Sequence, residues 1–274
     1  MYDPLIPLLR CLVCQSSLTL RDVLRDSHQE IMTGTLVCAG CAAHYPVHHG
    51  IADFLGPPRP PSIAQFTNEL TPTAWAYERL WRPHSLTLLS GEAFPYEREL
   101  ALVTNWVAPE RSGLIIDLAC SNGLYARTLA PRLPAGGQVV GVDHSMPMLV
   151  EARQRAAALG LAISYIRAKA QRLPFEHSSA AAVTIGGSLN EIGDLVGCLN
   201  EVRRVLNPSG RFVAMTLTRH PRRFERAIQQ LLAPSGIRFW QAADLVAQFA
   251  TQHLQVVDQR QYGIVLFTLA RVTG

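Results

Sequence analysis

Four of the six cysteines stand as two pairs of identical spacing, Cys11-Leu-Val-Cys14 and Cys38-Ala-Gly-Cys41, with 23 residues between them. A C-x-x-C knuckle sets two thiolates on one tight turn, so two knuckles complete a tetrahedral sulfur site of the kind zinc prefers. Four sulfur ligands leave no open position, and the expected role of Zn2+ on Cys11, Cys14, Cys38 and Cys41 is structural. Three histidines follow at His44, His48 and His49; with four thiolates sufficient, they are assigned to the surface. Cys120 and Cys198 stand alone in apolar segments.

Two acids stand where a parallel sheet would bind a ligand. Asp117 ends the apolar run Leu114–Leu118 and Asp143 ends Val139–Val142, 26 residues later. In an open α/β sheet, ligands bind beyond the carboxyl ends of the strands, at the switch point. A carboxylate inside the first strand end repels a pyrophosphate but suits the cationic ammonium and sulfonium groups of S-adenosylmethionine. An acid at the end of the next strand is placed to accept hydrogen bonds from both ribose hydroxyls.

These residues need strands to carry them and helices to cover the strands. The alternation of short apolar runs with amphipathic segments predicts strands at 114–118, 139–142, 162–166, 181–185 and 212–217. Helices are expected at 124–130, 145–159 and 194–206, a turn at Asn207-Pro208-Ser209-Gly210, then a helix near 241–250 and strands near 254–260 and 262–270. That order gives an α/β fold with a mostly parallel, doubly wound sheet and an antiparallel edge. Two short strands around Leu18–Leu20 and Ile31–Thr35 would hold the knuckles face to face. So small a module, about fifty residues, would lean on its metal for stability. Pro57, Pro58, Pro60 and Pro61 make a stiff extended linker. The expected division is a zinc ribbon over 1–56, a linker and helical segment over 57–110 and a catalytic fold over 111–274. Within the middle segment, Ala74, Tyr77, Leu80 and Trp81 recur at helical spacing up to Pro83, and a second helix is expected over 96–107. Trp75, Tyr77 and Trp81 would serve as core or cap a pocket.

Several stretches carry a resemblance. Ile115–Ala130, Gly141-Val142-Asp143-His144-Ser145-Met146, Arg172-Leu173-Pro174-Phe175 and Glu201–Gly210 resemble class I S-adenosylmethionine-dependent methyltransferases of the ubiquinone/menaquinone-biosynthesis type (methyltransferase type 11). The tail His44-Tyr45-Pro46-Val47 and Gly50-Ile51-Ala52-Asp53-Phe54-Leu55 is similar to that of small zinc-ribbon proteins that partner methyltransferases. With the Tyr77–Arg82 segment, the whole chain is similar to uncharacterised methyltransferases of chloroplasts and photosynthetic bacteria. The resemblance implies a Rossmann-like sheet, S-adenosylmethionine as cofactor, and binding residues at Asp117, Ala119, Ser121, Gly123, Asp143, His144, Lys169, Ala170 and Gly186. The family loop reads D-x-G-C-G-x-G, whereas Asp117-Leu118-Ala119-Cys120-Ser121-Asn122-Gly123 carries side chains at two of its glycine positions. Lys169 replaces an acid that would face adenine, and no His, Tyr or Glu stands out as a general base.

The expected activity is methyl transfer to a small apolar or aromatic acceptor, near Phe175, Ile185 and Leu189. A catalytically degenerate binding or assembly factor and an RNA methyltransferase are the alternatives, with a protein partner on the ribbon. The chain of 274 residues is 48% hydrophobic and 17% charged, a balance of globular rather than disordered chains. No apolar run approaches a membrane span, and no signal segment precedes the first knuckle, so a cytoplasmic location is expected. Net charge is +4, and the basic groups Arg203–Arg204 and Arg219–Arg226 read as solvated faces rather than a nucleic-acid stripe.

Overall fold

The computed structural model describes residues 1–56, 82–111, 113–222, 226, 229–230 and 236–273. The linker prolines and the Trp75, Tyr77 and Trp81 group lie outside the described residues. Among the described residues, eleven strands form one continuous sheet in the order β1-β2-β3-β4-β7-β6-β5-β8-β9-β11-β10.

The central strands are β5 (Leu114–Leu118), β6 (Gln138–Asp143), β7 (Ser164–Arg167), β8 (Ala180–Gly186) and β9 (Leu206–Leu217). They pair in parallel, with β5 between β6 and β8. Every residue of β5 is buried, as expected for a strand covered on both faces. β10 (Leu254–Tyr262) and β11 (Val265–Val272) form a hairpin, and β11 joins β9 antiparallel. Helices α1 (Arg82–Ser90), α2 (Tyr96–Val107), α3 (Leu124–Leu129), α4 (Met146–Ala158), α5 (Leu195–Val205) and α6 (Ala242–Thr251) complete the described layers. Two caps follow from the sequence: Ser145 accepts from Met148 at the start of α4, and Asp194 from Gly197 at the start of α5.

Three local expectations change. Pro83 lies inside α1 rather than closing a helix, and the residues before Arg82 fall outside those described. Asn207-Pro208-Ser209-Gly210 is not a free turn but an excursion within β9. Leu206 pairs with Ala180 and Arg211 with Ala182, so three extra residues are accommodated between them. Arg204 is not a solvated side chain: it bonds Glu201 and the carbonyls of Phe175 and Leu173.

The cysteine-bearing segment is built into the same sheet. β1 (Leu18–Arg25), β2 (Ile31–Cys38), β3 (His44–His48) and β4 (Ile51–Asp53) form an antiparallel run. β4 then pairs in parallel with β7, Ile51 opposite Tyr165 and Asp53 opposite Arg167. Leu9 bridges to Phe175, and the Arg10 amide donates to the Pro174 carbonyl. Leu5, Leu9, Leu12, Leu36 and Val47 share one buried cluster with Ile166, Leu173 and Phe175. Burial of this kind is worth about 1.5–3 kcal/mol for each large side chain, so the segment is fastened by its own apolar face as well as by any metal. Charge pairs reinforce the seam. Glu30 holds Arg153 of α4 through two 2.8 Å contacts, and Asp53 lies 3.1 Å from Arg167. No helix among the described residues is long and apolar enough to cross a membrane.

Candidate functional site

The four cysteine sulfurs lie within 4.8 Å of one another, with Cys11 and Cys41 3.6 Å apart and Cys14 and Cys38 3.3 Å apart. None is in a disulfide. A tetrahedral zinc with bonds of about 2.3 Å spaces its sulfurs at about 3.8 Å, so the set fits that ion. Amides of Val13, Gly40 and Cys41 donate to the Cys11 and Cys38 sulfurs, which favours thiolates. Gly40 is required by space: a Cβ there would stand 2.4 Å from the Ser16 hydroxyl. His44, His48 and His49 are exposed, as expected.

At the carboxyl edge of the sheet, the loop from β5 to α3 takes a conformation that glycine normally supplies. Ala119 (φ 50°), Ser121 (φ 50°) and Gly123 (φ 76°) are all left-handed. Two of these residues carry a Cβ, at a cost of about 1–2 kcal/mol each. Ala119→Gly and Ser121→Gly are each expected to raise the unfolding free energy by about 0.5–1 kcal/mol, the relieved strain less the extra chain entropy of glycine. Urea melts measure this, and a loss of stability in both variants would contradict it.

Asp143, at the end of β6, sits directly beside this loop. Its two oxygens accept from the Ser121 amide and the Ser145 amide, each at 2.9 Å. A carboxylate has about four acceptor sites, so each oxygen retains capacity for a further donor. His144 Nδ1 lies 3.3 Å from Asp143, while its Nε2 is buried without a hydrogen-bond partner among the described residues. The Asn122 side-chain nitrogen is in the same state. Two unsatisfied polar atoms flanking one strained loop are what a polar ligand would complete.

Asp117 has a different task from the one its position suggests. It is 2% exposed, and its oxygens accept from the Ala126 amide at 2.9 Å and the Thr184 hydroxyl at 3.0 Å. It fastens α3 to β5 and β8. Burial pushes its carboxyl up to about 7, the Ala126 and Thr184 bonds pull it down and Asp143 adds to the rise. Since the ordinary value is 3.8, the folded chain holds the extra proton between these limits, and stability falls as pH rises from about 4 to about 7. Asp117→Asn cannot titrate, and its melting temperature is expected to decline less than the parent's between about pH 5 and pH 8. An unchanged decline, read by scanning calorimetry, would contradict this assignment.

The remaining predicted residues divide. Lys169 is exposed and Ala170 half-buried, next to Ala168, whose amide donates to the Asp143 carbonyl. Gly186 instead makes room for Tyr125: a Cβ there would meet the ring at 3.0 Å. Phe175, Ile185 and Leu189 are fully buried core. Asn190 is a clamp, bonded to Leu217 on both its amide atoms and to the Arg238 carbonyl.

Glu191, which follows Asn190 in the chain, was not singled out in the sequence. Its side chain reaches solvent, yet crowding by the surrounding protein raises its carboxyl, Asp143 adds to the shift and His144 opposes it. Nothing in the local sequence marks it, because its neighbours come from the end of β6.

The parallel order, with β5 flanked by β6 and β8, is the Rossmann-like sheet of class I methyltransferases, and residues 115–210 match the family model described as a methyltransferase domain. This part of the chain therefore has the class I methyltransferase fold. Among curated relatives, it is 40% identical over 115 residues to the demethylmenaquinone methyltransferase of Thermus thermophilus, covering 42% of this chain and 50% of that one. It is 35% identical over 135 residues to the 2-phytyl-1,4-naphtoquinone methyltransferase of Trichormus variabilis, covering 48% and 58%. The chain thus spans about half the length of these curated relatives. A SAM-dependent methyltransferase from Aquifex aeolicus superposes with a TM-score of 0.57 at 14% identity, over 73% of this chain and 98% of that one, a likeness of fold. None of the three printed names speaks for an RNA acceptor or a non-catalytic role.

Proposed function

We propose that the chain transfers a methyl group from S-adenosylmethionine to a small aromatic acceptor of the quinone or phenol kind. The observation that carries this is Asp143. It is anchored by the Ser121 and Ser145 amides beside a left-handed loop, with the His144 Nε2 and Asn122 nitrogen, which have no partner among the described residues, next to it. The names of the quinone methyltransferases it resembles support the acceptor class.

In this reading Asp143 accepts from the ribose hydroxyls, and the loop 119–123 brings its backbone against the methionine portion. His144 and Ala170 flank the adenine, and Lys169 remains at the solvent edge. When bound, S-adenosylmethionine supplies an electrophilic methyl group. The protein's share is to hold the acceptor in line with it, since orientation alone provides much of the rate. Glu191, whose raised carboxyl has Asp143 and His144 as charged neighbours, would take the proton of an acceptor hydroxyl. Zinc on the four cysteines would shape the ribbon, whose Asp53 reaches the site through Arg167: that guanidinium also donates to the His144 carbonyl at 2.9 Å.

Incubation with methyl-labelled S-adenosylmethionine and a panel of phenols and hydroquinones tests the reading. Label is expected in an extractable aromatic product, with the rate reduced in Glu191→Gln. Label recovered only in RNA, or in no acceptor, would contradict it.

A further inference from the structure

The backbone of the first cysteine knuckle is tied to the turn that follows β7. Leu12 stands between Cys11 and Cys14, and both of its backbone groups are used. Its amide donates to the Tyr45 hydroxyl at 3.0 Å, and its carbonyl accepts from the Arg172 guanidinium. Tyr45 in turn lies 3.2 Å from the Cys11 sulfur. The residues that set the metal site therefore also set the position of the Leu12 carbonyl.

Arg172 closes the turn that carries Lys169 and Ala170. Its amide donates to the Lys169 carbonyl at 3.0 Å. Just before the turn, the Ala168 amide donates to the Asp143 carbonyl at 3.0 Å. Just after it, the Leu173 amide donates to Glu201 at 2.6 Å. The turn itself has two side-chain anchors among the described residues. One is Gln171, which reaches the Asp194 carbonyl only at 3.5 Å, the limit of a hydrogen bond. The other is the charge-assisted bond from Arg172 to the knuckle, the stronger of the two by type.

The opposite side of the site is braced differently. Arg167 holds the His144 carbonyl at 2.9 Å, and β4 is paired with β7 up to Asp53 and Arg167. The Phe54 amide extends that ladder to the Arg167 carbonyl at 2.9 Å. A strand ladder stands whether or not the cysteines hold a metal. The Arg172 link does not, because its acceptor belongs to the knuckle.

We infer that metal on the four cysteines and cofactor beyond β6 strengthen each other's binding, with Arg172 as the positioning residue that couples them. This rests on the reading of Asp143, His144 and Ala170 as part of the S-adenosylmethionine site. Without metal the knuckle loses the ligand that fixes its turn, and the Leu12 carbonyl no longer offers Arg172 one position. Cofactor binding must then order the 169–172 turn alone. Such coupling is reciprocal: the factor by which zinc raises cofactor affinity is the factor by which cofactor raises zinc affinity.

The test is zinc competition. The full, zinc-loaded chain is titrated with a chromophoric chelator, with and without saturating S-adenosylhomocysteine. The ligand is expected to raise the parent's zinc affinity about tenfold, within the usual range for coupled sites. Arg172 is exposed, so Arg172→Gln leaves no buried gap and is expected to fold and to bind zinc stoichiometrically. In that variant the factor is expected to fall to about twofold or less. General stabilisation of the fold would survive the substitution, since zinc and ligand would both still favour the folded chain. A factor unchanged in Arg172→Gln therefore overturns the inference. So does a parent whose zinc affinity ignores S-adenosylhomocysteine that direct titration shows to be bound. A zinc-loaded parent that binds no S-adenosylhomocysteine at all would overturn the cofactor reading, and the inference with it.

Discussion

Asp143→Ala is expected to weaken binding of S-adenosylmethionine and S-adenosylhomocysteine by about a hundredfold or more. Hydrogen bonds to a charged acceptor are worth about 1.5–3 kcal/mol each, and two ribose hydroxyls lose theirs together. The substitution also releases the Ser121 and Ser145 amides, which Asp143 holds at 2.9 Å. The loop would then lose the partner that keeps Ser121 in its left-handed conformation. Asp143→Asn keeps an acceptor oxygen for one amide, so its loss is expected to be smaller. Titration of both variants, with circular dichroism to verify folding, measures the effect. Affinity in folded Asp143→Ala equal to the parent's would remove Asp143 from the site.

The second large effect is loss of the metal. Cys38 ends β2, is buried and accepts from the Gly40 and Cys41 amides. Cys38→Ser removes a soft ligand from a closed four-sulfur set, and the chain is expected to lose stoichiometric zinc. Structural zinc sites in small peptides contribute about 10–16 kcal/mol of apparent folding free energy; here part of that is shared with the apolar cluster that joins Leu9 and Leu12 to Phe175. The melting temperature of the whole chain is therefore expected to fall, rather than a separate ribbon transition to appear, because β4 is paired with β7. Metal analysis and scanning calorimetry together decide it. Metal-free protein that melts with the parent's profile would show that the cysteines hold nothing of structural consequence.

Features written in local spacing were legible in the sequence. The C-x-x-C knuckles and the acids ending β5 and β6 each depend on a few neighbouring residues, and α2 lies at 96–107 as expected. What depends on distant partners was not. The pairing of Ile51–Asp53 with Tyr165–Arg167 joins segments more than a hundred residues apart, and three residues carry no pattern that names their partner. Asp117 reads as a ligand-binding acid by position, yet Thr184 and Ala126, from two other elements, use both its oxygens. Gly186 likewise resembles a ligand-facing glycine, but the ring it accommodates comes from α3. Arg219, Arg222 and Arg226 are exposed, as expected of a solvated surface.

Calorimetric titration of the zinc-analysed chain with S-adenosylhomocysteine tests the central claim most directly. The expected result is saturable one-to-one binding in the micromolar range that disappears in Asp143→Ala. No heat of binding at millimolar ligand, in protein shown to be folded and metal-loaded, would contradict the cofactor assignment and with it the proposed methyl transfer.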